Sequence, residues 1–501
     1  MSNSAQTINS NSIAYGSVYR VGVGARAGDF PLLEQRIAIF AEGNADKQTE
    51  IAANGGVLVP LTAAEVAEVA GYGSPAHLAA KMLFDNYSLN VERKFFFIPE
   101  AGVATKTSIE LAGTGATITK TGTLTLNING SLLPISLVKD ATLAEVLATI
   151  KDAINANVNY PCDVLTAAPT TTIDITSKWA GASSAELDVS VFSDTSTGIT
   201  WALTPTLGTG ETLPTDALAK LTNDWYPHVL NCLGNGTSET ILDAYEDFNG
   251  TPAAGNGKYA AINMTPYVVW NATHESVLAN ITAVTDDRKE KNTNIYLAIS
   301  NAQDFSFENA AEALAMFVNR SSGDPKQDVN DDVMLYATPP TDKDVGSVMD
   351  YNFRDALVKV GASTVNYKDG SYYTNDILTT YHPVSESDPV FRYVRDIMIV
   401  FTLIDQIKKY NAKQKNKTIA PNALPSATII SPALYKAGLL NEIIKPFVEA
   451  GYIAEFDYAK ENLDVGINPT NSGRFDVLTP NLITSLLRIV AVDVSVNKFN
   501  G

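Results

Sequence analysis

The stretch PYVVWNA at positions 266–272 is apolar on both sides of an extended strand. Tyr267 and Val269 would point to one face, and Val268 and Trp270 to the other. A strand that is apolar on both faces is buried on both, as in a parallel sheet covered by helices. The stretch therefore predicts an α/β domain.

Other short apolar runs repeat this pattern on both sides of that stretch. They are RIAIFA (36–41), KFFFIP (94–99), YPHVLNC (226–232) and NIYLAIS (294–300). Helical patterns alternate with them at 237–247, 274–287 and 306–320. The alternation predicts a three-layer α/β domain, built around a largely parallel sheet, over residues 26–100 and 206–340.

Residues 101–205 differ in character, being rich in Thr, Ser, Gly and Ala and poor in aromatic residues. TLTLNINGSLLPISL (123–137) predicts a hairpin around Asn129 and Gly130. An amphipathic helix follows at 141–157, and further strand patterns come after it. We predict a small α+β domain inserted into a loop of the α/β domain, since surface loops tolerate insertions at little entropic cost.

A third region follows the connector ATPPTDKD (337–344). It shows a hairpin pattern at 363–381 and a long helix at about 388–411. A second helix is predicted at 431–451, with Ser431 and Pro432 at its start. We predict a C-terminal α+β domain over residues 341–484.

Both ends of the chain show the alternation of a half-buried strand, in a predicted N-terminal arm (1–25) and a C-terminal arm strand (485–501). The residues on the apolar faces are Ile13, Tyr15, Tyr19, Val21 and Val23, and Val490, Val492, Val494 and Val496. Strands need partners for their backbone N–H and C=O groups. The residues alone leave open whether these strands pair with each other, join the chain's own sheet, or pair with another chain.

Composition excludes several classes of function. A net charge of −19 argues against general nucleic-acid binding, because phosphates would be repelled. The polar opening MSNSAQTINSNS lacks the features of a signal peptide, and no apolar run is long enough to span a membrane. Cys162 and Cys232 are too few for a disulfide scaffold, and we expect buried thiols.

No motif in the sequence predicts catalysis, a cofactor or a metal. GTPAAGNGKYA (250–260) lacks the spacing of a phosphate loop, and Lys258 is followed by Tyr259 rather than Ser or Thr. HESVL (274–278) lacks the second histidine of a zinc helix. DVNDDVMLYATP (328–339) lacks both the turn glycine and the final glutamate of a calcium loop. We therefore expect that the chain is not an enzyme.

One basic run, KKYNAKQKNK (408–417), stands out in this acidic chain. Its lysines are Lys408, Lys409, Lys413, Lys415 and Lys417. They could mark a helix C-terminus followed by a solvated loop, because cations are favoured at that end of the helix dipole. Alternatively, they could contact an acidic partner.

The third region resembles a known family. In order, it contains YKDGSYYTNDILTTY (367–381), DPVFRYVRDIMIVFTLIDQIKK (388–409), EAGYIAEFDYAKENL (449–463) and NSGRFDVLTPNLITSLLRIVAVDVSVN (471–497). This set closely resembles the tail sheath protein of contractile bacteriophage tails, of the Mu-like type. The resemblance is strongest over 345–501, extends to 20–100 and 206–340, and is weakest over 101–205.

The resemblance implies a structural subunit that polymerises as stacked hexameric rings around a tail tube. Contraction of the sheath would drive the tube through a bacterial envelope, as part of a virion assembled in the host cytoplasm. The implied partners are other copies of the chain, the tail tube protein, and baseplate and terminator proteins. No cofactor, direct nucleic-acid contact or stable membrane insertion is implied.

Particular segments also acquire roles from the resemblance. The 101–205 domain would face outward, and the terminal arms would add strands to sheets of neighbouring subunits. The basic run would contact the tube, although Lys408 and Lys409 stand where the family leads us to expect arginines.

Two alternative functions remain open. The first is the sheath of a phage-derived contractile bacteriocin or injection system, which sequence does not separate from a phage tail. The second is a surface adhesion protein whose 101–205 domain binds a ligand; it would predict a secretion signal.

Overall fold

The computed structural model describes residues 32–113, 117–193, 195–234, 238–260, 264–340, 348, 350–385, 389–422, 425 and 428–485. Residues 34–401 form one compact unit, and residues 402–485 belong to a second. Strands and helices are numbered below in chain order.

The largest sheet of the first unit has eight strands among the described residues. From edge to edge they are β15 (Ser371–Thr374), β14 (Ser363–Lys368), β13 (Asn294–Ala298), β12 (Val268–Thr273), β11 (His228–Asn231), β1 (Arg36–Glu42), β3 (Glu92–Ile98) and β2 (Val57–Leu58). The six strands from β14 to β3 run parallel, and only the edge strands β15 and β2 pair antiparallel.

Helices cover both faces of this sheet. Outside residues 101–205 they are α1 (Gln48–Ala53), α2 (Ala63–Ala70), α3 (Pro75–Ala80), α5 (Thr215–Leu218), α6 (Glu239–Asn249), α7 (Leu278–Asp286), α8 (Ser306–Ser321) and α9 (Tyr351–Lys359). Val269 of β12 shares an apolar cluster with Tyr245 of α6. The next residue, Trp270, has its ring 5.5 Å from that of Phe317 on α8. Because successive strand residues point to opposite faces, α6 and α8 lie on opposite sides.

Residues 101–205, which we call the inserted segment, form two smaller antiparallel sheets and one α-helix. The sheets have the orders β10 (Ile199–Thr206), β4 (Ala104–Gly113), β8 (Thr172–Ala180), β7 (Cys162–Val164), and β6 (Ser131–Leu137), β5 (Gly122–Ile128), β9 (Val189–Ser193). The hairpin between β5 and β6 turns at Asn129 and Gly130, whose φ angles of 44° and 80° suit this residue pair. Helix α4 (Leu143–Ala156) begins with a capping box between Thr142 and Glu145.

In its described residues, the second unit contains helices and two short strand pairs. Its elements are the end of α10 (Val394–Gln414), then β16 (Thr418–Ile419), β17 (Ile429–Ile430), α11 (Pro432–Leu439), α12 (Lys445–Glu449), α13 (Phe456–Asn462), β18 (Asp464–Ile467) and β19 (Phe475–Leu478). A π-helical turn, Leu440–Ile444, joins α11 to α12. Pro446 explains this turn, because it has no N–H to donate to the preceding turn of an α-helix.

The structure corrects one helix boundary. The long helix begins at Val394 rather than near residue 388. The residues just before it are not helical. The Arg392 N–H donates to the Pro389 carbonyl at 3.1 Å in a turn, and Tyr393 forms a β-bridge with Leu378. Pro389 is the first residue of this turn.

The mixed α/β architecture with several sheets agrees with the expected fold class. Each of the apolar runs that we interpreted as strands contains a strand of the large sheet, and the hairpin around Asn129 and Gly130 is confirmed. The 363–381 hairpin, which we placed in the C-terminal domain, supplies β14 and β15 at the edge of the large sheet. The division into five domain segments stays a prediction.

Candidate functional site

The terminal arms that we predict to mediate assembly lie outside the described residues. This applies to Ile13, Tyr15, Tyr19, Val21 and Val23, and to Val490, Val492, Val494 and Val496. Their pairing therefore remains a prediction. What the structure does describe is the surface of the second unit to which strands could be added.

A groove of about 930 Å³ runs along that unit. It lies between the C-terminal part of α10, the β16–β17 pair and strand β19. Its apolar wall is formed by Ile407, Ile419, Ile430, Tyr435, Leu439, Phe475 and Val477. The groove therefore contacts three separate elements. Its lining combines this apolar wall with polar and charged side chains, among them Lys415, Lys417 and Arg474.

The strand pairs beside the groove are unusually small. Among the described residues, β16 pairs only with β17, and β18 only with β19. Two-stranded sheets are marginally stable by themselves. Several apolar residues of these pairs remain exposed, with Leu478 at 65%, Val477 at 38% and Ile429 at 37%. Both pairs therefore have edges and apolar side chains that a further strand could cover.

The chain reaches its C-terminal segment from a fixed position on the second unit. Ile483 forms an antiparallel bridge with Ile453. The Ala454 N–H donates to the Leu482 carbonyl at 2.8 Å, and the Thr484 hydroxyl donates to the Gly451 carbonyl at 2.7 Å. The segment from residue 486 onward thus begins at an anchored point.

Three of the five lysines of the basic run lie on α10. Lys409 pairs with Asp405 at 2.6 Å, and Lys413 pairs with Glu442 at 3.3 Å. Lys408 is half-buried, and burial lowers its pKa. The sequence run contains no acid, but these two carboxylates, from outside the run, offset part of its charge.

The remaining two lysines lie beyond the helix. Lys415 and Lys417 follow Gln414, the last residue of α10, and both line the groove. Because α10 continues to Gln414, the lysine in its last turn is Lys413 rather than Lys408 or Lys409. The run therefore spans a helix C-terminus and the loop after it, with that end three residues later than expected. The assignment of the run to a tube contact stays a prediction.

In the first unit, the inserted segment covers the edge of the sheet at which α/β enzymes bind ligands. A 3-10 helix, Ala182–Glu186, lies at the carboxyl ends of the parallel strands. Ser183 donates its hydroxyl hydrogen bond to Glu42, the last residue of β1. Trp179 donates from Nε1 to Ser183 at 3.1 Å, and its ring lies 5.5 Å from that of Phe305. We call the contact formed by Glu42, Trp179, Ser183 and Phe305 the joint.

Carboxylates of the protein itself hold the helix starts at this edge. Glu186 accepts hydrogen bonds from the Ser306 N–H at 2.8 Å and from its hydroxyl at 2.7 Å, at the first residue of α8. Glu211 accepts from the Ser238 hydroxyl at 2.7 Å, at the start of α6. Helix N-termini at such an edge are the positions where phosphates bind in nucleotide-binding folds. Here Glu186 binds the backbone at the start of α8, whereas Glu211 accepts from the side-chain hydroxyls of Ser238 and Thr240.

The other motifs considered in the sequence have ordinary structural roles. The Lys258 ammonium donates to the carbonyls of Leu221 and Thr222, each at 3.0 Å. In the 328–339 loop, Asp331 pairs with Lys368 and Asp332 with Arg320. Cys162 and Cys232 are buried thiols, as expected.

Two wider searches cover only the part of the chain that the structure describes. In it, no group of three or more His, Cys, Asp or Glu side chains is arranged to hold a metal ion. In the same residues, no helix combines the length and apolarity required to cross a membrane.

Sequence reasoning did not identify the joint. Glu42 and Ser183 are 141 residues apart, and each stands in a stretch that has no recognisable motif. The available signal was indirect: an insertion that begins directly after β3 must leave the sheet at the carboxyl end of that strand. It therefore starts at the edge that it covers.

Comparison with known proteins gave matches among solved structures. No protein-family model and no curated protein matches the chain. A sheath tail protein from Desulfitobacterium hafniense is 12% identical, with a TM-score of 0.41 over 94% of this chain and 100% of that chain.

Two further similar chains come from contractile particles. One belongs to the sheath complex of the extracellular contractile injection system PVC in its contracted state, at 9% identity and a TM-score of 0.47, covering 97% of this chain and 98% of that chain. The other belongs to the contracted baseplate of the anti-feeding prophage AFP, at 10% identity and a TM-score of 0.46, covering 98% of this chain and 99% of that chain.

Proposed function

We propose that the chain is the structural subunit of a contractile tail sheath. Copies polymerise as stacked hexameric rings around a tail tube, between baseplate and terminator proteins, and contract to drive the tube through a bacterial envelope. The sequence resemblance favours a phage tail of the Mu-like type, assembled in the host cytoplasm. A phage-derived bacteriocin or injection system would use the same subunit mechanism.

The observation that carries this proposal is the groove of the second unit. It is flanked by two strand pairs that are each too small to be stable alone, and it leaves Val477 and Leu478 exposed. A surface of this kind favours the addition of a strand from another chain.

The occupant that we propose is a terminal strand of a neighbouring copy. The face formed by Val490, Val492, Val494 and Val496 is apolar, as is the wall of the groove. Each backbone hydrogen bond contributes about 0.5–1.5 kcal/mol, and each fully buried valine about 1.5–3 kcal/mol. An arm of several residue pairs would hold neighbours together by on the order of 5–10 kcal/mol before ordering costs are subtracted.

Such arms suit an assembly that changes shape without dissociating. Paired arms would persist while the subunit bodies rotate and form new contacts, so that contraction draws on packing energy rather than on a nucleotide. The covered carboxyl edge of the sheet supports this role over an α/β enzyme, because Glu186 occupies the start of α8, where a phosphate would bind.

Electron microscopy of the purified chain at high protein concentration tests the proposal. We expect hollow cylinders from the unmodified chain, and monomers from a variant with Val492→Asp and Val494→Asp, because two charges would have to be buried in the groove. Ser495→Asp is the matched control: it adds charge to the opposite face of the same strand and should leave the cylinders intact. Small closed oligomers from the unmodified chain, or cylinders from the double variant, would contradict the proposal.

A further inference from the structure

The joint contains carboxyl groups on both of its sides. Glu42, at the end of β1, is 3% exposed and is hydrogen-bonded to Ser183 of the inserted segment. Glu100, after β3, accepts from the Ala180 N–H at 3.0 Å. Glu186, in the inserted segment, accepts from Ser306 at the start of α8. Acidic side chains therefore make hydrogen bonds across the joint in both directions.

Few positive charges face these groups. Glu100 and the Cys232 thiol, after β11, face Glu42. On α8, Glu308 faces Asp304, Glu186 and the same thiol, and the opposing charge comes from Lys81. Glu186 and Asp304 are faced in turn by His274, which follows β12. The groups facing the joint from all these elements are thus mostly acids.

Burial in this environment favours the protonated forms of Glu42, Glu308 and Glu186. Burial first, and the nearby Glu100 second, raise the pKa of Glu42 to about 8, although its hydrogen bond to Ser183 acts in the opposite direction. Burial and the neighbouring Asp304 raise the pKa of Glu308 to about 8, against the hydrogen bond from the Phe305 N–H. Burial also raises the pKa of Glu186.

We propose that the joint is a pH-dependent contact, which is closed while the Glu42 carboxyl group is protonated and opens as it ionises. Opening exposes Glu42 to water and returns its pKa towards the ordinary value of 4.5. Between that value and about 8, the closed joint holds a proton that the open joint has lost. Raising the pH therefore favours opening, and the effect levels off above the closed-state pKa.

The size of the effect follows from proton linkage. Over the interval between the open and closed pKa values, each pH unit raises the opening equilibrium constant about tenfold for every carboxyl that ionises on opening. If Glu42 and Glu308 both ionise, the factor is about a hundredfold per pH unit. Because the inference depends on the fold of the first unit alone, it stands or falls separately from the proposed sheath function.

Hydrogen exchange of the full chain, followed by mass spectrometry between pH 5.5 and 8.5, tests the proposal. After correction for intrinsic exchange, protection of peptides covering Ala182–Glu186 and the start of α8 should fall about tenfold or more per pH unit up to about pH 8. A peptide from β12, in the centre of the sheet, is the internal reference and should change much less.

Isosteric variants identify the groups responsible. Glu42→Gln keeps a neutral partner for Ser183. In this variant, the factor by which joint protection falls per pH unit should be about tenfold smaller than in the unmodified chain. Glu308→Gln tests the second carboxyl independently. Glu110→Gln, at an exposed position of β4, is the matched control and should behave as the unmodified chain. Equal pH dependence at the joint and in β12, or an unchanged dependence in both joint variants, would overturn the proposal.

Discussion

Replacing Trp179 by alanine tests how strongly the inserted segment is attached to the sheet. The Trp179 side chain is fully buried, lies against Phe305, and donates from Nε1 to Ser183, which in turn bonds to Glu42. Truncating a buried aromatic side chain to alanine costs about 3–5 kcal/mol through lost transfer energy and the remaining cavity. We expect Trp179→Ala to lower the free energy of unfolding of the first unit by this amount.

The conservative variant separates packing from hydrogen bonding. Trp179→Phe retains a ring beside Phe305 but removes the Nε1 donor to Ser183. Loss of one such hydrogen bond costs about 0.5–1.5 kcal/mol, and the smaller ring adds a modest cavity. We therefore expect a total cost of about 1–3 kcal/mol, clearly below that of the alanine variant.

The assay is equilibrium urea unfolding, followed by circular dichroism and fluorescence, at concentrations where sedimentation shows monomers. Trp201→Ala, at a partly exposed position of β10 in the same segment, is the matched control and should cost about 1 kcal/mol or less. If Trp179→Ala cost no more than this control, the side chain would not hold the inserted segment on the sheet, and our reasoning about the joint would be wrong.

Two further predictions concern backbone space and surface charge. Gly73→Ala should destabilise the chain by more than about 2 kcal/mol in the same urea assay, since φ is +79° and the new Cβ would lie 2.1 Å from the Tyr160 carbonyl oxygen. Gly55→Ala, where φ is +67° and nothing lies within 4 Å, should cost only about 1 kcal/mol; equal costs would contradict the close-contact argument. Lys415→Glu with Lys417→Glu should leave monomer stability unchanged but impair sheath assembly on tail tubes at low salt, measured by electron microscopy. Normal extended tails from this variant would exclude the tube contact.

Local sequence patterns predicted the five adjacent strands β13, β12, β11, β1 and β3 of the large sheet because their determinants are local. A strand buried on both faces has to be apolar at successive positions, as in 266–272 and 294–300, and a strand extends over only a few residues. When a helix connects two such strands, the two strands run parallel in the sheet. The hairpin at Asn129 and Gly130 was equally predictable from the sequence, because those two residues adopt the positive φ angles of a tight turn.

The joint could not be predicted because it depends on contacts between distant residues. Glu42 and Ser183 meet across 141 positions, and neither residue type indicates burial. The start of α10 is a different case. Asp388 and Pro389 repeat the pattern of Ser431 and Pro432, an N-cap residue followed by proline, which favours a helix start near 388. The start at Val394 instead follows a turn and a bridge to Leu378, which a local pattern does not show.

Disulfide cross-linking between copies tests most directly whether a terminal strand of one chain occupies the groove of another. Cysteine would replace Val477 on β19 in one set of chains and Val490, Val492 or Val494 in another, and the two sets would be mixed and oxidised. The native thiols, Cys162 and Cys232, are buried. We predict intermolecular cross-links that form only when the two sets of chains are mixed. Cysteine at one or more of the three valine positions should cross-link more readily than a control cysteine at Ser495, because Ser495 faces away. A third variant carries both cysteines in one chain. Cross-links within that chain, with none between the two mixed sets, would contradict strand exchange.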